Sequence, residues 1–155
     1  MSSAKVYPVR HALAEQMRRP GGRTAAECLE KAQDALDTAR DGAMQSIETL
    51  VGKLEAVARS RSADPSDEIY TLAHSVLDLA GFFETGPLYE VAYSLCELTD
   101  GLRVQGRWEW PAALVHIQAL RLVLGAGPGA ADDPALRAML AGLGSVTSRV
   151  ATARG

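Results

Sequence analysis

The chain has 155 residues, 47% hydrophobic but only 5% aromatic, and a formal net charge of −3. Its length suits one domain with a real core, and so little aromatic content favours close-packed helices built from Ala, Leu and Val over a sheet. The charge argues against a nucleic-acid surface, and no apolar run reaches the roughly 20 residues that cross a bilayer.

Tyr7, Arg10, His11 and Glu15 interrupt any signal-peptide core, so a cytoplasmic setting is expected. Residues 1–23 read as a flexible tail, with Pro8, Pro20, Gly21, Gly22 and the basic cluster Arg10, Arg18, Arg19 and Arg23. Within it, Ala12 to Met17 allows a transient helical turn. Residues 24–153 read as a single helical domain.

The first long helix starts at Thr24, where Thr24 and Glu27 have capping-box spacing. Leu29, Leu36, Ala43, Leu50 and Val57 then form a seven-residue series, with Ala32, Ala39, Ile47 and Leu54 filling the seam. A helix of about 34 residues, roughly 50 Å long, is predicted. Its length over the others offers a surface for the C-terminal segment or for a homodimer. It ends near Arg59-Ser60-Arg61-Ser62. Asp64 is the expected N-cap of the second helix, with Pro65 at its first position, and Glu84 to Pro87 breaks that helix.

Pro87 opens the third helix, with the stripe Leu88, Val91, Ala92, Leu95, Leu98 and Leu102. Trp108-Glu109-Trp110-Pro111 marks the fourth, which is apolar nearly all round and so expected to be the most buried. The two tryptophans are expected to close the end of the bundle. Gly125 to Ala131 is a loop, and Asp133-Pro134 caps the last helix. The fold class is all-α: an antiparallel four-helix bundle with a long N-terminal helix and one additional helix. Cys28 and Cys96 read as small buried hydrophobes without metal or redox spacing.

The most informative residue is His74. On the second helix Ile69, Leu72, Ala73, Val76, Leu79, Ala80 and Phe83 cluster on one stripe. His74 points roughly 160° from its centre at about 100° per residue. A histidine there packs nothing and is presented to solvent or a partner. Its side chain suits proton or phosphoryl chemistry near neutral pH. Tyr70, Leu77 and Gly81 share its face, and Gly81 leaves room beside the imidazole. His116, by contrast, lies on an apolar face and reads as a hydrogen-bonded core residue. His11 sits in the tail. The acidic residues Glu27, Glu30, Asp34 and Asp37 form a solvated face with no histidine spaced to complete a metal site. Ser75 points away from His74 and forms no dyad with it.

The Ala73-His74 helix, Gly81, the break at Glu84 to Pro87 and the leucine-rich stripe that follows resemble a histidine phosphotransfer (Hpt) domain over about residues 66 to 102. The wider chain is similar to small Hpt-like proteins encoded with chemotaxis or two-component genes in alphaproteobacteria, the CheE type among them. The resemblance implies a helical bundle whose exposed histidine carries a phosphoryl group to and from receiver aspartates. Its partners would be a response-regulator receiver domain or a histidine kinase. No cofactor of its own is implied, since Mg²⁺ would come with the receiver. The site would be His74 as phosphoacceptor, with Tyr70, Leu77, Asp78 and Gly81 as binding residues. The family pattern places lysine and glycine where this chain has Leu77 and Asp78. Leu77 cannot offset phosphoryl charge, and Asp78 adds like charge. Two readings follow: a phosphorelay carrier through His74, or an adaptor that docks a receiver without transfer. A third is a regulatory bundle that dimerises through its first helix.

Overall fold

A computed structural model describes residues 20–127 and 131–152 of the chain. Among the described residues there are five α-helices, α1 (Ala25–Ser60), α2 (Ser66–Phe82), α3 (Pro87–Gln105), α4 (Trp110–Ala126) and α5 (Pro134–Thr152). There is no strand among the described residues, so the chain is all-α as its composition implies. The expected turn over Ala12 to Met17 lies outside the described residues. None of the described helices is long and apolar enough to cross a membrane. Contacts divide the chain into two units, Met1–Thr38 and Ala39–Gly155, with the boundary inside α1.

In the first unit, α1 begins as its sequence predicts. The Thr24 N–H donates to Glu27 Oε2 at 2.7 Å, and the Glu27 N–H donates to Thr24 Oγ1 at 3.2 Å. This reciprocal pair satisfies two amide groups that every helix start leaves free. Cys28 is exposed, which corrects the buried role expected for it. Every residue from Ala25 to Gly42 is exposed.

The second unit holds a helical core. The later part of α1 contributes Ala43, Ile47, Val51, Leu54, Val57 and Ala58 to it. α3 packs against α2, α4 and α5, and it buries Leu88, Val91, Ala92, Leu95, Cys96, Leu98, Thr99 and Leu102. Each fully buried leucine, such as Leu54, Leu95 or Leu120, is worth roughly 1.5–3 kcal/mol of transfer free energy. α4 is buried to a similar degree, through Ala112, Ala113, His116, Ile117, Ala119, Leu120 and Val123. α4 is apolar on all sides, yet it leaves Val115 and Leu122 exposed because neighbours cover only part of its circumference. Arg121 on α4 reaches across to α1 and makes a two-pronged ion pair with Glu55, at 2.8 and 2.9 Å.

Helix ends follow local chemistry with one correction. Asp64 is not the N-cap of α2. Pro65 occupies that position without a side-chain cap, and Asp64 instead accepts a hydrogen bond from the Ser66 hydroxyl at 2.8 Å. α3 starts at Pro87 and stops at Gly106, which adopts the left-handed conformation (φ 62°) that glycine tolerates at no steric cost. At the start of α5 the Ala135 N–H donates to Asp133 Oδ1 at 2.8 Å, the cap its sequence predicts.

Candidate functional site

α2 buries Ile69, Ala73, Val76 and Ala80. Helical geometry then turns positions 70, 74, 77, 78 and 81 toward its other sides. Tyr70, His74 and Leu77 are half-buried, and Asp78 and Gly81 are exposed. The Tyr70 and His74 rings lie 4.5 Å apart between centres, tilted at 55°. This is the (i, i+4) contact that a helix brings together.

A residue from α3 completes the cluster. The Arg103 guanidinium sits 4.5 Å from the centre of the Tyr70 ring and makes a 2.8 Å ion pair with Asp67. Asp67, Arg103, Tyr70 and His74 thus form one continuous chain of contacts across two helices. At this exposure the cation–π contact is worth about 0.5–1 kcal/mol, and the Asp67 side chain is 84% exposed, so the ion pair adds little. The cluster contributes position more than stability, holding a cation against the ring that touches His74.

The other residues on this face play different parts. Leu77 packs partly against the core, which anchors its side chain inward. The space beside Gly81 is taken by Tyr89 of α3: a Cβ at position 81 would lie 3.1 Å and 3.3 Å from two atoms of that ring. Gly81 therefore admits an aromatic ring of its own chain. Tyr89 stacks on Tyr93 at 6.3 Å, and Phe82 is exposed with its ring against Phe83. The Glu97 carboxylate pushes the Tyr93 phenol above its usual range. Burial, and then the charge of Asp78, pushes the Cys96 thiol up to about 11. That thiol stays protonated and unreactive near neutral pH.

Arg103, Asp67 and Tyr89 were not singled out by sequence, because a helical count on one element says nothing of its neighbour. A signal existed in the break between the helices. Asp67 and Arg103, and Gly81 and Tyr89, are each equally spaced about Thr85, so a short turn there sets which residues meet.

His116 occupies a separate junction of three helices. It is fully buried, and its Nδ1–H donates to the Ala112 carbonyl at 2.8 Å. That leaves Nε2 as an acceptor for the hydroxyls of Ser94 (3.0 Å) and Thr147 (3.2 Å). Burial holds the imidazole below the usual histidine range against the opposing pull of the Ala112 carbonyl. It is the satisfied core histidine that its apolar face predicts. Trp108 and Trp110 meet edge to face at 5.5 Å, with Arg61 over the Trp110 ring. The Trp108 Nε1 is buried without a partner.

Among the described residues no three His, Cys, Asp or Glu side chains gather as a metal site. Comparison with protein-family models, with curated proteins and with solved structures found no match.

Proposed function

We propose that the chain is a histidine phosphotransfer-like protein of a two-component or chemotaxis relay, with His74 as its phosphoacceptor and receiver domains as its partners. The observation that carries this reading is the contact chain from His74 through Tyr70 to Arg103. A phosphohistidine needs compensating positive charge nearby, and electrostatic positioning dominates phosphoryl transfer. Leu77 offers none. Arg103 offers it from the neighbouring helix, against the ring that already touches the imidazole. In the transfer step an imidazole nitrogen of His74 forms a bond to phosphorus while the receiver's aspartyl O–P bond breaks, and the aspartate leaves as carboxylate. Mg²⁺ and the acidic cluster belong to the receiver. The short connections between consecutive helices support the antiparallel four-helix arrangement expected of such a carrier.

The adaptor reading has its own observation. Asp78 is exposed on the same helix, and Arg103 is already paired with Asp67, so the net charge offered to a phosphoryl group is small. Incubation with phosphorylated receiver domains separates the two. The carrier acquires acid-labile, base-stable label that His74→Gln abolishes and Arg103→Gln reduces about tenfold, which corresponds to about 1.4 kcal/mol. Binding without label, unaffected by His74→Gln, establishes the adaptor. Label that persists in His74→Gln removes His74 from the mechanism.

A further inference from the structure

α3 and α5 leave a groove between them, apart from the His74 cluster. Tyr89, Tyr93 and Glu97 follow one another at four-residue steps along α3 and form one exposed ridge. Glu90 joins them on the lining, and Leu140 and Leu143 of α5 make its apolar side. The Ser94 hydroxyl also lines the groove, but it is already committed to His116 and Thr147. The volume is about 260 Å³, below the roughly 300–1,000 Å³ that encloses a free small molecule. It suits one side chain whose backbone stays outside. Two features of the lining choose the charge of that side chain. The tyrosines are 41% and 47% exposed, their planes 26° apart, and an aromatic face attracts cations through its quadrupole. The carboxylates of Glu90 and Glu97 enter none of the ion pairs among the described residues. Glu97 lies close enough to the Tyr93 phenol to raise it, first by charge and then by hydrogen bonding. Ring and carboxylate therefore address the same space, and an ionised carboxylate keeps acceptor capacity beyond one phenol.

We propose that this groove docks an arginine side chain presented by a segment of a partner protein. The guanidinium lies flat on an exposed tyrosine face and donates to the Glu97 carboxylate, while Glu90 adds attracting charge. The aliphatic stem packs on Leu140 and Leu143. Arginine suits the site better than lysine, because its planar and weakly hydrated head stacks and donates at once. A metal ion is a poor occupant, since no three ligating side chains gather among the described residues. His74 has no part in the groove, and the proposal stands or falls apart from the phosphotransfer reading.

Nuclear magnetic resonance titration of the full chain tests the docking, at about 0.15 M salt so that diffuse attraction is screened. The probes are two blocked pentapeptides of glycine and alanine around one central arginine or one central lysine. The arginine peptide is expected to give saturable shifts at Tyr89, Tyr93 and Gly144, with a dissociation constant of about 1 mM. The lysine peptide should bind about fivefold more weakly. Tyr93→Ala and Glu97→Gln should each weaken arginine binding about fivefold, as loss of an exposed cation–π contact or ion pair does. Both sites are exposed, so the circular dichroism spectrum should not change. Gly144→Gln is the blocking variant. A Cβ at Gly144 meets nothing within 4 Å, and glutamine favours a helix over glycine, so the chain folds while the new side chain fills the groove and binding is lost. Shifts that fail to saturate by about 20 mM, or that survive Gly144→Gln, overturn the proposal. A lysine peptide that binds as tightly as the arginine one overturns it too.

Discussion

His74 and His116 are held in opposite ways. His116 is sealed among α3, α4 and α5, with both ring nitrogens engaged by named partners. His74 is half-buried on α2, and its ring is steadied by Tyr70. Ser94, which serves His116, and Arg103, which serves the His74 cluster, lie on opposite sides of α3 by helical count. One helix thus carries a buried polar junction on one side and a half-open aromatic and charged surface on the other. A fully satisfied histidine in a core specifies packing. A half-open one beside an arginine and a tyrosine keeps its chemistry available. Residue type alone does not distinguish these roles; what the neighbours do with the ring nitrogens does.

The sharpest way to break the contrast is to delete each imidazole. His116→Ala leaves a cavity and removes the ring that joins Ser94, Thr147 and the Ala112 carbonyl, although Ser94 and Thr147 keep their own 3.1 Å contact, so urea unfolding should show a loss of about 2–4 kcal/mol. His74→Ala should stay within about 0.5 kcal/mol of the natural chain, as surface changes usually do. Equal losses at both sites would end the distinction.

Acid should separate them next. Burial lowers the folded-state pKa of His116, so the unfolded chain binds a proton there first. Its contribution is whole above the unfolded value of about 6.5 and falls as pH drops below it, by up to about 1.4 kcal/mol per pH unit. The slope lasts until the folded group itself titrates. Stability curves at pH 7.5 and 5.5 should therefore diverge in the natural chain, and His116→Gln should remove the part of that slope due to this group.

A smaller effect belongs to the ion pair between α1 and α4. The hydrogen bonds from Arg121 hold the Glu55 carboxyl below its usual range. Its contribution is present above the unfolded value of about 4.3 and is lost as pH falls through the lowered one. This window lies below that of His116, so the two are separable by titration. Glu55→Gln should cost about 0.5–1 kcal/mol at neutral pH by thermal unfolding, in keeping with a partly exposed pair.

A further small change in stability is expected at Arg103. Arg103→Gln loses an exposed ion pair and a cation–π contact, together within about 1 kcal/mol. A larger loss in denaturant titration would recast Arg103 as a structural strut rather than a cation held for the His74 face.

Much of this was legible in the chain. The capping box at Thr24 and Glu27, the helix start at Pro87 and the cap at Asp133 are local signals, and local geometry honoured them. His116 was readable because an apolar helical face leaves a histidine only a buried role. The neighbours of His74 were harder. Tyr70 is four residues away on the same helix and could be named. Arg103 and Tyr89 come from α3, and their placement depends on the register between helices. Cys28 misled because its series of apolar neighbours looks like a core face whether or not anything covers it. Asp64 misled because Pro65 takes the capping position, leaving Asp64 to the Ser66 hydroxyl.

The tryptophan pair gives the molecule an optical address. The chain has only two tryptophans, and both sit at the connection from α3 to α4, in contact with each other. Intrinsic emission therefore reports on that one end. The buried Trp108 Nε1 lacks a hydrogen-bond partner, a condition that shifts indole fluorescence to shorter wavelength because polar relaxation around the excited ring is suppressed. Opening that end would redden the emission at once. Trp108 lines the same groove as Asp67 and Arg103, so a partner seated on that cluster would move the colour as well, and this built-in lamp watches the one end of the molecule without any label.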